Sequence, residues 1–309
     1  MAVIEVSHLS YRYGRVDALR DVAFSVPEGA LFALLGPNGS GKTTLLQILT
    51  GLRRARAGRV RVLGTDSVSL TIHQRQRISY IAEGQRLPGW MRLEQLEAYL
   101  RPLYPTWDEA LASSLRDRFG LDRARKIRAM SRGEQMKAAL LCALASRPKL
   151  LLMDEPFTGM DAMVKDDLVR GLLDCAGSEG WSVLLCSHDI GELELLADWV
   201  AFLDRGEMRL SASLDDVRAR FKRVEVTLEG PAVDVSPRAG DEWLAVQQAG
   251  NRVSFVLDHR DDVPPEITLR GSFPRATRLD VRDATLRELF VALATRHRSE
   301  RSAEMEVTT

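Results

Sequence analysis

Leu31 to Leu49 constrains the chain more than any other stretch. An apolar run, Leu31-Phe32-Ala33-Leu34-Leu35, breaks into Gly36-Pro37-Asn38-Gly39-Ser40-Gly41-Lys42-Thr43 and then turns helical. Strand, glycine loop and helix N-terminus in that order make a P-loop. Gly36, Gly39 and Gly41 carry no side chain to block a close approach of backbone N–H groups to phosphate, and the helix beginning near Lys42 adds its positive dipole end. Lys42 is predicted to reach the β and γ phosphates as a mobile point charge, and the Thr43 hydroxyl to ligate Mg2+.

The bulk of the chain narrows the setting. At 309 residues it exceeds one average domain, which predicts one large domain plus an appendage. Lys plus Arg balances Asp plus Glu at 43 each, which removes a general electrostatic case for nucleic acid or an anionic membrane as main partner, local basic patches aside. Cys142, Cys175 and Cys186 are widely spaced in mostly apolar stretches, and read as reduced buried thiols in a cytosolic protein. The first residues, Met1-Ala2-Val3-Ile4-Glu5-Val6, do not read as a secretory signal. No segment approaches the ~20 uninterrupted apolar residues that a bilayer span requires. A membrane role is therefore expected to come through a partner.

Along the chain, residues 2–6 and 22–26 read as strands of a small antiparallel lobe, with Pro27-Glu28-Gly29 as a turn. Tyr11 and Tyr13 precede the phosphate loop, and two readings of them are open: turn packing, or stacking on a purine ring. The five arginines between Gly51 and Arg61 read as a solvated loop and hairpin face. A short strand at Ile78–Ala82 stops at Glu83-Gly84-Gln85. A mostly helical insertion follows at about 86–147, with helices from Leu93 towards Gly120 and over Arg132–Ala145. Lys149–Pro156 and Trp181–Cys186 are continuous apolar runs, as central parallel strands covered on both faces require. Each ends in polar residues, Asp154-Glu155 and Ser187-His188-Asp189, at the edge where open α/β sheets bind ligands. A helix (Gly191–Ala197) and a strand-turn-strand (Val200–Leu210) follow. The character changes near 221. Strands at Arg223–Leu228, Trp243–Ala249 and Arg252–Leu257 and a helix over Ala284–Thr295 predict a small α+β domain over 221–298, with 299–309 a frayed polar tail.

Taken together, these motifs resemble the nucleotide-binding subunit of an ABC transporter over about residues 2–220. The resemblance implies a P-loop NTPase core of α/β class: a parallel sheet with an antiparallel β lobe and a helical insertion. Gly36–Thr43 matches Walker A, so Gly36, Pro37, Asn38, Gly39, Ser40, Gly41, Lys42, Thr43 and the adjoining Thr44 are expected to bind ATP. Leu150–Asp154 matches Walker B, with Asp154 holding Mg2+ through water. Glu155 stands at the catalytic glutamate, Thr158–Asp161 resembles the D-loop with Asp161 at its end, and His188 matches the switch histidine, a donor to the γ-phosphate. Tyr13 aligns with the aromatic residue that stacks on adenine. Glu155 would orient or deprotonate the attacking water, with Lys42 offsetting phosphate charge.

Two places depart from the family pattern. Met130-Ser131-Arg132-Gly133-Glu134 stands where Leu-Ser-Gly-Gly-Gln is common; Ser131 and Gly133 keep the positions that touch γ-phosphate from the opposite subunit, and Arg132 is expected to point to solvent rather than to add charge near phosphate. Glu83 stands where glutamine is usual, with Gln85 two residues on, and either is a candidate for the metal contact.

The resemblance implies two subunits head to tail, a second copy or a homologous ATPase, each ATP lying between one P-loop and the other subunit's signature. It also implies a transmembrane permease partner on the cytoplasmic side of the membrane, met near Gln85–Trp90, where the apolar residues are open to core packing or docking. Pro88–Met91, Tyr104–Asp108 and Asp283–Phe290 are similar to bacterial ABC-2-type exporter ATPases, which favours export. Rival readings are a soluble ABC protein of translation or DNA repair, and a small-molecule P-loop kinase, in which Ser131–Gln135 and His188 would have no role. The C-terminal region is open to a dimer-stabilising or a ligand-sensing reading.

Overall fold

Twelve-residue strands open the chain: β1 (Ala2–Tyr13) and β2 (Val16–Pro27) pair antiparallel. The structure is a computed structural model that describes residues 1–194, 196–230, 242–260 and 263–295, apart from the side chains of 175–179 and 192. The Cys175 thiol and the expected tail at 299–309 lie outside the described residues.

Strand β3 (Leu31–Leu35) runs into the glycine loop and α1 (Lys42–Leu49). Strands β4 (Ala57–Val62) and β5 (Thr65–Asp66) return to the first sheet, in the order β2-β1-β4-β5. After the short α2 (Ile72–Arg75) comes β6 (Ile78–Ile81), then the helical segment with α3 (Leu93–Leu100), α4 (Glu109–Phe119) and α5 (Arg132–Ala145). Strands β7 (Leu150–Asp154) and β8 (Ser182–Ser187) flank α6 (Ala162–Glu179), and β9 (Trp199–Asp204) and β10 (Glu207–Ser213) complete a six-stranded sheet ordered β10-β9-β3-β8-β7-β6. From β9 to β6 the neighbours are parallel.

Burial explains the order. Every residue of β3, β7 and β8 is buried, as the unbroken apolar runs require of strands covered on both faces. Helix α1 contributes Leu45, Leu46, Ile48 and Leu49 to one core with Val6 and Val26 of the antiparallel sheet and Phe32, Leu152 and Leu184 of the parallel one. Each such fully buried side chain stabilises by roughly 1.5–3 kcal/mol. The loop before α1 is thereby anchored from both sheets.

The chain divides into two compact units: Met1–Asp189 together with the segment up to Ser211, and Ile190–Glu194 with the chain from Ala212. The second unit thus starts before the boundary expected near 221, because α8 (Leu214–Arg220) contacts β11 (Phe221–Leu228). With β12 (Trp243–Ala249), β13 (Arg252–Asp258) and β14 (Ala276–Asp283), β11 forms a sheet ordered β12-β13-β11-β14. Trp243 stacks on Phe255 at 4.4 Å and on Phe273 at 5.2 Å, beside Val224, Val226 and Val253. Helix α9 (Pro265–Ser272) and strand β14 have no counterpart in the sequence analysis: Ala-Thr-Arg-Leu-Asp-Val-Arg-Asp is a largely polar edge strand with no apolar run to mark it. The helix expected over Gly191–Ala197 is the shorter α7 (Ile190–Leu193), and the last helix, α10, covers 286–295.

Candidate nucleotide site

Parallel register places the functional residues side by side. Leu35 pairs with Ser187 and Asp154 with Cys186, so β3, β8 and β7 end together and deliver the glycine loop, His188 and Glu155 to one sheet edge. The Glu155 N–H donates to the Cys186 carbonyl at 3.0 Å, which locks the catalytic-position glutamate to the strand carrying His188.

The loop itself is held by its lysine. Lys42 Nζ donates to the carbonyl oxygens of Gly36 (2.6 Å) and Pro37 (3.2 Å) and lies 3.2 Å from Glu155 Oε1. Gly41, the residue before α1, has φ +109°, and a Cβ there would lie 2.5 Å from the Ala18 carbonyl oxygen, so no other residue fits. The first-turn N–H groups of α1 have no intrahelical acceptor and point into the loop, which makes an anion cradle. This cradle forms one wall of a cavity of about 390 Å3, lined also by Tyr13, Val16, Glu83 and Glu155.

Glu155 has φ +47°, a left-handed conformation rare for a residue with a side chain. It is buried. Its Oε2 accepts from the Thr158 hydroxyl (3.3 Å) and the His188 backbone N–H (3.3 Å), and it lies 2.7 Å from His188 Nδ1. With an acceptor on that side, a neutral His188 keeps its proton on Nδ1.

Asp154 is fully buried, and neither carboxylate oxygen has a hydrogen-bond partner among the described residues. Burial pushes its carboxyl above the ordinary range, and the charges of Glu83 and Glu155 push the same way against Thr43 and Lys42. An orphaned buried carboxylate beside a hydroxyl fits a divalent cation. Among the described residues no three His, Cys, Asp or Glu side chains form a self-sufficient metal centre.

The two departures are placed as follows. Glu83 lines the cavity, whereas the Gln85 carboxamide oxygen folds back to accept from the Ala82 N–H at 3.1 Å. Ser131 is the N-cap of α5: its hydroxyl accepts from the Glu134 N–H at 3.2 Å while the Glu134 carboxylate accepts from the Ser131 N–H at 2.7 Å. Arg132 is exposed, as expected, yet its guanidinium does not simply extend into solvent but lies against Gly159. Ser131, Gly133 and Asp161 do not line the P-loop cavity of their own chain; Asp161 Oδ1 accepts from the Val164 N–H at 3.0 Å, at the start of α6.

Tyr13 is partly exposed, edge-on to Tyr11 at 5.0 Å, with its hydroxyl 3.3 Å from Thr44 Oγ1. Arg53, from the arginine-rich segment read as solvated, lies 4.8 Å over the Tyr13 ring. The sequence reading missed Arg53, whose only signal was its place after α1, and the hydroxyl of Thr158, signalled by a polar residue three positions beyond Glu155.

The family profile described as ABC transporter matches residues 19–158. The molybdate/tungstate import ATP-binding protein WtpC of Pyrococcus horikoshii is 32% identical over 270 residues, 86% of this chain and 75% of that protein. This chain is an ABC transporter ATP-binding subunit. The cassette is also 28% identical to the ABC transporter ATP-binding protein YtrB of Bacillus subtilis over 94% of its own length and 97% of that protein's. Among solved structures, the ATP-binding subunit of an ABC transporter superposes with a TM-score of 0.64 at 28% identity, covering 70% of this chain and 92% of the other. A dimeric cassette bound to ADP and Pi shares the fold with a TM-score of 0.61 at 22% identity, over 68% and 98% of the two chains. The α/β P-loop core and the ATPase activity inferred from the motifs therefore stand. Among the described residues no helix is long and apolar enough to cross a membrane.

Proposed function

We propose that the cassette hydrolyses ATP as a head-to-tail dimer and drives a separate permease on the cytoplasmic face of a membrane. The observation that carries this reading is the division of the site. Lys42, Glu155 and His188 converge on one edge, while Ser131 and Gly133, the positions matched to a phosphate contact, stand outside the cavity of the same chain. A second subunit placed in the opposite sense would bring its own signature to that phosphate.

Within each half-site the residues divide the work. The α1 N-terminus and Lys42 hold the β and γ phosphates, Tyr13 offers a ring to the base, and Glu155 takes a proton from the attacking water while Thr158 and His188 hold its second oxygen. Thr43, Asp154 and Glu83 are the residues that would hold Mg2+, which when bound offsets phosphate charge.

Export rather than import is the direction we favour, because Pro88–Met91 and Asp283–Phe290 resemble exporter ATPases. The relatives named here include importers, WtpC and the sulfate/thiosulfate import protein CysA. Proteoliposomes with the cassette on the outer face decide it: ATP outside loads substrate into the lumen for an exporter and does not for an importer.

The dimer is tested with Glu155→Gln, which removes the proton acceptor and so blocks hydrolysis while a carboxamide of the same shape stands in for the carboxylate. Sedimentation should show monomer converting to dimer with Mg-ATP, and Ser131→Arg should abolish that dimer. A Glu155→Gln chain that binds Mg-ATP tightly and stays monomeric, alone and with its permease, would overturn the composite site.

A further inference from the structure

Arg132 occupies a position where a cation has little local reason to be. It is the first residue of α5, at the positive end of the helix dipole. Its neighbours have carboxylate partners, Arg125 with Glu134 at 2.5 Å and Lys137 with Asp167 at 2.8 Å. Arg132 forms no hydrogen bond or ion pair among the described residues. What it touches instead is backbone: a Cβ on Gly159 would sit 2.8 Å from its Nη1 and 3.5 Å from its Cζ.

Gly159 belongs to the turn that shapes the catalytic edge. Its φ is +73°, and the Thr158 and Met160 N–H groups donate to the carbonyls of Glu155 and Phe157, both at 3.3 Å. One residue before Gly159, the Thr158 hydroxyl donates to Glu155 Oε2. One residue after Arg132, Gly133 is so close to α6 that a Cβ there would lie 2.9 Å from Val164 Cγ1. The first turn of α5 is therefore seated against the 155–161 turn at Gly159 and against the start of α6 at Val164.

We infer that Arg132 is a positioning residue for Glu155: its guanidinium abuts the Gly159 turn with its Nη1 end and keeps the Thr158 hydroxyl aimed at the carboxylate. The inference rests on the ATPase activity of the family, and its amide-exchange test is independent of the dimer and of the direction of transport. Arginine suits the task because its rigid fork reaches Gly159 with Nη1, where the compact ammonium of lysine has no matching group. It also gives Gly159 a second reason to lack a side chain, beyond its positive φ.

The test uses the full-length chain. Steady-state ATPase assays with Mg-ATP should show kcat of Arg132→Ala lowered about tenfold with KM for ATP within about twofold, since the P-loop is untouched. Arg132→Lys should stay as low as Arg132→Ala, and the Arg132→Ala/Thr158→Ala pair should be no slower than Thr158→Ala alone, because the two act in series. Amide exchange across residues 155–160, which requires no turnover, should be about tenfold faster in Arg132→Ala while protection of β7 and β8 stays unchanged. Unaltered exchange in that turn overturns the inference even if hydrolysis needs the permease, and so does full rescue by lysine or an additive double variant. A wild-type chain that exchanges as expected yet never turns over ATP, with or without a permease, would count against the ATPase assignment and leave Arg132 as the cover of the turn.

Discussion

Two buried aspartates, one in each unit, have opposite surroundings. Asp154, in the first, is fully buried with neither oxygen hydrogen-bonded, and its carboxyl is pushed up by burial. Asp258, in the second, is also buried but accepts from Arg220 at 2.5 and 2.6 Å and from Arg260 at 2.8 Å; although burial alone would raise its carboxyl, these guanidinium contacts hold it well below the ordinary range. An unpaired buried charge costs free energy that the fold must supply, while a paired one holds elements together only as long as both partners are present. The first arrangement costs stability and the second is a fastening.

Substitution separates them most strongly. Asp154→Asn should lower ATPase activity by about 100-fold or more, through loss of the metal contact, and yet raise the stability of the metal-free protein by about 1 kcal/mol because a buried charge is gone. Asp258→Ala should do the reverse to stability, destabilising the second unit by roughly 3 kcal/mol as Arg220 loses its partner. Urea unfolding without Mg2+ reads both. Destabilisation by Asp154→Asn would show that its carboxylate is satisfied after all, and the contrast between the two sites would fail.

Acid sharpens the same contrast, with smaller effects. In the second unit Glu288 is held down to about 2, chiefly by its hydrogen bonds from Arg282, and Asp258 is lowered as well. A carboxyl lowered in the folded state binds fewer protons there than when unfolded, so its stabilisation is present above the unfolded value near 4 and is lost as pH falls towards 2. Asp154 is raised, so the folded state binds protons more readily, and its cost is relieved as pH falls through that raised value. Between about pH 5 and pH 2 the second unit should lose stability that Asp154 does not remove from the first. Amide exchange of β11–β14 against β3, β7 and β8, corrected for intrinsic rates, measures this. Equal acid sensitivity in Asp258→Asn and wild type would exclude Asp258 as the cause.

How far the two units were legible follows from the same physics. Leu31–Leu35, Leu150–Asp154 and Ser182–Ser187 are buried at every position, so their apolar runs announce central parallel strands, and the polar residues that end them must share an edge. That much of the site, Lys42 with Glu155 and His188, was readable. In the second unit, β14 and α9 were not, because an edge strand written Arg-Leu-Asp-Val-Arg carries its signal only in alternation against a core that the sequence does not display. Glu83 and Gln85 are both polar loop residues, and only the fold distinguishes their places, Glu83 in the cavity wall and Gln85 folded back on the Ala82 N–H. The contact of Arg132 with Gly159 depends on how α5 is seated against the turn before α6, a tertiary fact with no local pattern.

The smallest expected effect concerns Tyr13, the proposed base platform. Arg53 lies over its ring, donates through Nε to Gln47 Oε1 at 2.5 Å and through Nη1 to the Tyr11 hydroxyl at 3.3 Å, and so is itself fixed on two sides. A cation held against one aromatic face is worth about 0.5–1 kcal/mol at a site this exposed. It also limits how the ring turns. Arg53→Ala should therefore raise KM for ATP about threefold and leave kcat unchanged, since the phosphate end of the site is elsewhere. In a Tyr13→Ala background the same substitution should do nothing, because the ring through which it acts is gone. If Arg53→Ala changes KM equally with and without Tyr13, the arginine acts on nucleotide directly, and the platform is Arg53 itself rather than the ring it covers.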